Sequence, residues 1–167
     1  MERAQKENRM ELRKVDLSNL WELLALKVLP EQAEFVAPND GSILEAYATI
    51  ASGYVAQPFG IYVNQKPVGF VMFGYGSLGD SDDPPVAEEN YCLWRFMIDQ
   101  AYQGQGLGKQ ALALCIDYLR TFPCGPAEYC WLSYEPENQR AKALYEKAGF
   151  AESGEMCGEE IVSVLKL

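Results

Sequence analysis

Residues 102–110 read YQGQGLGKQ, with three glycines at alternate positions directly ahead of a long helical pattern. A glycine inside a helix costs about 1 kcal/mol relative to alanine, so three at a helix entry need a physical reason. Upstream, YCLWRFMI (91–98) is nearly continuous apolar sequence, the pattern of a central strand covered on both faces. Downstream, Leu107, Ala111, Leu114, Cys115, Tyr118 and Phe122 form a stripe at helical spacing, with Lys109, Ala113, Asp117 and Arg120 on the outer face. A strand that turns tightly into a helix brings unpaired backbone N–H groups and the positive end of the helix dipole to one spot. Such a spot suits a pyrophosphate. Glycines that serve only to pack the turn give the same pattern, and the stretch by itself does not choose between the two.

Two familiar phosphate loops do not fit. A P-loop needs four residues between its first glycine and its Gly-Lys-Ser/Thr; Gly104 and Gly108 have three between them, and Gln110 stands where a magnesium-binding hydroxyl belongs. A dinucleotide fingerprint needs G-x-G-x-x-G, and with Gly104, Gly106 and Gly108 the third glycine is misplaced.

Outward from this stretch the elements alternate irregularly. ELRKVDL (11–17) reads as a strand, and Ser18 as the cap of a helix through NLWELLALKV that Pro30 stops. Ser42 reads as the cap of a second helix, ILEAYATIA, ending at Gly53. FGIYV and VGFVMFGY flank the polar turn NQKP as a hairpin, and 76–90 is an acidic Gly/Pro loop. EYCWLS (128–133) is a strand, ENQRAKALYEKAG (137–149) a helix closed by Gly149, and the remainder a hairpin about a Cys-Gly turn. The expectation is an α/β fold: a mixed sheet of about seven strands flanked by about four helices.

The 167 residues, 49% hydrophobic and 23% charged, suit one domain over 10–167, with the polar, aperiodic 1–9 as a flexible tail. The apolar runs are too short to cross a bilayer and no signal-peptide pattern precedes the first element, so a cytoplasmic protein with no membrane partner is expected. No histidine is present, and the five cysteines (Cys92, Cys115, Cys124, Cys130, Cys157) form no C-x-x-C pair. That argues against a Cys/His metal site and removes Ser-His-Asp and Cys-His catalysis. A net charge of −10 repels nucleic acid and attracts cations, although solubility alone accounts for it equally well.

The pattern Gln103-x-x-Gly106-x-Gly108, between an apolar strand and an amphipathic helix, resembles the acyl-CoA loop of the GNAT superfamily of N-acetyltransferases. ENQRAKALYEKAGF (137–150) resembles that superfamily's Asn-x-x-Ala-x-x-Leu-Tyr-x-x-x-Gly-Phe helix, and the element order matches over 10–167. The resemblance implies the GNAT fold and acetyl-CoA as co-substrate. It implies that Phe96, Met97 and Ile98 offer backbone groups to the pantetheine arm, with an N–H near Met97 or Ile98 polarising the thioester carbonyl. Gln103, Gly104, Gln105, Gly106, Leu107, Gly108 and Lys109 would hold the pyrophosphate, Asn138 would bond the arm, and Tyr145 would face the sulfur as the catalytic residue. By spacing alone, Tyr145 shares a core-like helix face with Ala141, Leu144 and Ala148.

A closer similarity, to bacterial diamine and polyamine (spermine/spermidine) N-acetyltransferases, is carried by PFGIYVNQKPVGFVMFG (58–74), LWRFMIDQAYQGQGLGK (93–109) and GEMCGEEIVSVLKL (154–167). It implies a small cationic amine as acceptor, attacked directly in a ternary complex. An aminoglycoside, a protein amino group or a non-catalytic acyl-CoA-binding role stays open, as does a homodimer, since members of the superfamily often dimerise. Glu31, Glu34 and Glu135 are the candidate carboxylates near an acceptor groove, for taking the amine's proton directly or through water; each also reads as a solvated surface charge, and none is singled out as the base. Arg95, a charge within a central strand, must be paired; it either forms a structural ion pair or orders acidic groups around the acceptor.

Overall fold

The structure, a computed structural model, describes residues 9–167. The expected tail therefore lies outside the described residues except for Arg9, whose backbone N–H donates to Asn64 Oδ1 (3.1 Å) and whose carbonyl accepts from Asn64 N (3.0 Å).

The apolar and alternating stretches pair as seven strands: β1 (Met10–Lys14), β2 (Val55–Val63), β3 (Lys66–Tyr75), β4 (Tyr91–Ile98), β5 (Tyr129–Tyr134), β6 (Ala151–Cys157) and β7 (Glu160–Lys166). They build one sheet in the order β1-β2-β3-β4-β5-β7-β6. Every neighbouring pair is antiparallel except β4–β5, which is parallel. The helices are α1 (Leu20–Leu24), α2 (Asn39–Ala51), α3 (Leu107–Leu119) and α4 (Gln139–Lys147). The expected mixed sheet with four helices is the architecture found.

One face of the sheet buries Phe59, Ile61, Val71, Phe73, Leu93 and Ile98 against Leu112, Cys115, Ile116 and Leu119 of α3, with Leu144 and Tyr145 of α4 packed alongside. The other face buries Phe70, Met72 and Met97 against Ala46 of α2, with Leu26, Val28, Val36 and Ile43 around them. β4 thus carries side chains into both cores, which is why its sequence is almost unbroken apolar.

The parallel seam is short. β4 and β5 pair only at Tyr91 with Cys130 and Cys92 with Trp131. Beyond that point β4 keeps β3 as its partner and β5 keeps β7, so the two strands part. The closed end is pinned by side chains. The Tyr91 hydroxyl donates to Gly125 O (2.7 Å) and accepts from Cys124 N (2.9 Å), and Asn90 Oδ1 accepts from Glu128 N (3.0 Å) and Tyr129 N (2.8 Å). Just after the last shared rung, Trp94 is an extra residue in the β3–β4 register, since Phe73 faces Leu93 and Met72 faces Arg95. Bulges of this kind bend a strand and re-aim its side chains.

Several local expectations are corrected. The first helix keeps only five residues and starts from Asn19; Ser18 instead turns its hydroxyl and N–H to Asp16 Oδ1. The later part of that stretch is drawn away by the loop after β4, where Lys27 N donates to Asp99 Oδ1 (2.8 Å) and Lys27 O accepts from Gln100 N (2.8 Å). The second helix begins four residues earlier than Ser42 implies, after Pro38, and Ser42 lies fully buried in its first turns. In α3 the buried face runs through Ala111, Leu112, Cys115, Ile116 and Leu119, while Phe122 sits 42% exposed past the helix end. The last hairpin turns at Gly158 and Glu159, because Cys157 still pairs with Glu160. Among the described residues no helix is long and apolar enough to cross a membrane.

Candidate active site

A cleft of about 1440 Å3 opens where β4 and β5 part. Phe96, Met97 and Ile98 of β4 line it, followed by Gln103, Gly104, Gly106, Leu107, Gly108 and Lys109 at the mouth of α3, and by Asn138 and Tyr145 across the seam. Gln105 is exposed beside the cleft and is the one expected cofactor residue outside its lining. Glu31, Glu34, Arg95 and Glu135 also line it, so the structure brings the two expected half-sites into one groove.

The loop after β4 is built by its own side chains. Asp99 accepts from Ala101 N (3.0 Å) and starts a single 3-10 turn over Gln100–Tyr102. Gly104 and Gly106 both have φ +76°, a left-handed conformation that disfavours any side chain. A Cβ at either would meet nothing within 4 Å, and one at Gly108 would make only an ordinary 3.8 Å contact with Ile98. The glycines are therefore not packing residues of the fold; they turn the backbone and leave open space beside it. Among the described residues, no backbone acceptor meets the N–H groups of Gln103, Gly104, Gln105 or Gly106, and the first three N–H groups of α3 have no intrahelical partner. A row of free amides facing open space fits an anionic group such as a pyrophosphate.

The edge of β4 at Met97 and Ile98 is held in place by β3. A Cβ on Gly69 would stand 2.4 Å from Met97 O, so β3 approaches this carbonyl closely only because residue 69 has no side chain. On the other side of the seam, Asn138 caps α4 by accepting from Ala141 N (3.2 Å) through Oδ1, which leaves its NH2 as a donor at the groove. Tyr145 packs its ring on Tyr134 (6.2 Å between centroids) and edge-on to Phe150 (5.9 Å). Its hydroxyl has no protein partner among the described residues. Burial, with smaller contributions from the thiols of Cys115, Cys130 and Cys92, pushes its pKa above the ordinary phenol value.

On the side expected to face the acceptor, Arg95 donates from Nη2 to Glu45 Oε2 (2.9 Å) and from Nη1 to the Trp94 carbonyl (3.1 Å). The charge in the central strand is thus paired, and its partner Glu45 stands on the cleft wall. Glu31 and Glu34 are exposed and Glu135 is half-buried. The cleft also gathers carboxylates that the sequence did not point to: Glu45, Asp80, Asp82, Asp83, Glu137 and Glu160. Asp83 is committed to Ser77 Oγ (2.6 Å) and to the N–H groups of Leu78 (2.8 Å) and Gly79 (3.1 Å), and Glu160 accepts from Ser133 Oγ. Gln32 is a further missed residue, with its amide paired to that of Gln103. No local motif marks these residues; the fold assembles them from five separate segments.

Seam and helix mouth together form a groove between two parallel strands that ends in a row of unpartnered amides. The chain belongs to the acetyltransferase (GNAT) family, which it matches over residues 20–150. It is 36% identical over 103 residues to the spermine/spermidine N(1)-acetyltransferase of Bacillus subtilis (strain 168), the match covering 60% of this chain and 62% of the relative. It is 31% identical over 100 residues to the N-alpha-acetyltransferase RimI of Mycobacterium tuberculosis, covering 60% of this chain and 58% of that protein. The chain thus spans less than two thirds of the length of either relative. Among solved structures, the aminoglycoside acetyltransferase AAC(6')-Ib in complex with coenzyme A superposes with a TM-score of 0.70 at 19% identity, over 95% of each chain. The PaiA N-acetyltransferase of Thermoplasma acidophilum in complex with coenzyme A gives 0.64 at 15% identity, over 95% of this chain and 99% of the other. At these identities the likeness is one of fold.

Proposed function

We propose that the protein transfers an acetyl group from acetyl-CoA to a primary amine of a small cationic acceptor, a diamine or polyamine, by direct attack while both are bound. The observation that carries this reading is the parted β4–β5 seam running straight into a row of unpartnered amides at the mouth of α3. Acetyl-CoA supplies an activated acetyl thioester, a long arm and a diphosphate, and the seam and the amides suit the last two.

In this reading the amides of 103–109 grip the diphosphate with help from the helix dipole. The edge of β4 at Phe96, Met97 and Ile98 lays the arm alongside as a strand-like partner, and the Asn138 NH2 bonds it from the other side. A main-chain N–H at Met97 or Ile98 stabilises negative charge on the thioester oxygen. Tyr145 donates a hydrogen bond to the departing sulfur. Full proton transfer from a free phenol to a thiolate is already uphill by about 2 kcal/mol, and the raised pKa of Tyr145 makes it more so. Its role is therefore to hold the sulfur by a hydrogen bond and keep its own proton.

An alkylamine with a pKa near 10.4 is neutral in only about one molecule in a few thousand at pH 7. The ammonium must shed a proton before its lone pair can attack, and in a chain without histidine a carboxylate or water takes it. The carboxylates along the acceptor side serve both as the cation's hosts and as the route for that proton. The 36% identity to a protein named for spermine and spermidine supports the polyamine choice. All five cysteines are free thiols, which suits a reducing cytoplasm.

Calorimetry with coenzyme A, followed by thiol release from acetyl-CoA across an amine panel, tests the proposal. Spermidine or spermine is expected to react. Reaction only with peptide amino termini or aminoglycosides overturns the acceptor class. Binding without any turnover makes the chain an acyl-CoA-binding module, and no binding overturns the reading entirely.

A further inference from the structure

The loop that would grip the cofactor and the wall that would face the acceptor are separate in sequence but joined by side-chain amides. Gln103 Nε2 donates to Gln32 Oε1 (2.9 Å), and Gln32 Nε2 donates back to Gln103 Oε1 (3.1 Å). Gln103 Nε2 also reaches Ile98 O (2.9 Å) at the end of β4, and Gln32 Oε1 also accepts from Leu29 N (3.3 Å). Gln32 ends the 3-10 turn Pro30–Gln32, with its carbonyl accepting from Phe35 N (3.0 Å). Glu31 and Glu34 stand on either side of it at the cleft. Behind the pair, Lys27 is tied to Asp99 and Gln100 by the two backbone bonds described above.

We propose that the reciprocal amide pair Gln32–Gln103 makes the acceptor wall, residues 30–36, respond to occupation of the 103–109 loop, so that cofactor binding orders the acceptor site. The inference rests on the functional reading above. Its physical basis is that Gln103 belongs to both units: its backbone N–H is one of the free amides, while its side chain is spent on Ile98 and Gln32. A ligand that fixes the backbone of Gln103 fixes the orientation of its amide, and with it the turn carrying Glu31. Gln32 is a positioning residue in this scheme. By reciprocity of linked binding, an acceptor held on this wall tightens cofactor binding by the same factor.

Amide hydrogen exchange reads this without knowing the acceptor. Coenzyme A is expected to slow exchange across 30–36 by roughly tenfold in the wild type, and by less than about twofold in Gln32→Leu. Gln32→Glu keeps the acceptor oxygen for Gln103 Nε2 and Leu29 N and is expected to fall between them. Thermal unfolding checks that the variants fold; if Gln32→Leu does not, the wild-type comparison and Gln32→Glu still decide. Calorimetric binding of coenzyme A with unchanged exchange at 30–36 in the wild type overturns the coupling, as does equal slowing in Gln32→Leu. Absence of any binding heat overturns the functional reading, and the coupling with it.

Discussion

At the scale of single residues, Tyr145 carries both structure and chemistry on the proposed reading. Its ring packs between Tyr134 and Phe150, and the residue lines the cleft with no protein hydrogen bond to its hydroxyl among the described residues. Tyr145→Phe keeps the packing and removes the donor. A hydrogen bond to a developing thiolate is worth about 1.5–3 kcal/mol, so kcat is expected to fall by roughly 10- to 100-fold while the calorimetric affinity for coenzyme A changes by less than about twofold. Equal losses in both would make the residue a packing element only. The direction of its pKa shift gives a second expectation. A raised pKa means the phenol keeps its proton as pH rises past the ordinary value of about 10. The donor therefore persists on the alkaline side, where the acceptor amine also becomes neutral, and kcat is expected to hold or rise up to about pH 10. A decline in kcat with a midpoint below about pH 9 that vanishes in Tyr145→Phe would contradict this assignment.

At the scale of elements, β3 sets the position of the β4 edge. Gly69→Ala would put a Cβ 2.4 Å from Met97 O and 3.0 Å from Ile98 Cδ1, in a fully buried stretch of sheet. Overpacking of this kind costs about 1–3 kcal/mol, and relief requires the carbonyl of Met97 to move. A lowered melting temperature together with weakened coenzyme A binding is expected; a lower melting temperature alone would detach β3 from the site. The elements differ in how legible they were. β4 and the turn into α3 could be read directly, since an apolar run followed by alternating glycines has few structural interpretations. α4 was readable because its cap Asn138 and its closing Gly149, at φ +101°, are local signals. The helical periodicity of residues 25–29 extends α1 in the sequence, but the N–H and carbonyl of Lys27 are claimed by Asp99 and Gln100, some 70 positions away. Ser42 misled for a related reason: a serine ahead of an apolar stretch reads as a cap, and nothing local reveals that its side chain is wholly buried. The proposed cofactor half of the site is legible in the sequence because it is made of contiguous backbone. The proposed acceptor half, with Gln32, Glu45 and Glu160, comes together only once the sheet, the acidic loop and α2 have been assembled.

At the scale of the molecule, the charge of −10 is accompanied by nine carboxylates on the cleft lining, against four cations there, Arg95, Lys109, Arg140 and Lys147. Low-dielectric walls focus such a field and draw cations inward, and salt screens it within a Debye length of about 10 Å at 0.1 M. The KM for spermidine is expected to rise by about tenfold between low salt and roughly 0.5 M, with kcat little changed and the affinity for coenzyme A much less affected. A salt-independent KM would mean that the net charge serves solubility alone. The parallel seam also has a mechanical meaning. Two rungs join a four-stranded slab to a three-stranded one, and on the proposed reading the cofactor's arm is laid in the gap as mortar between them. Pulled apart at single-molecule force across residues 94 and 133, the protein should yield first along that joint, and it should yield later once the mortar is in place.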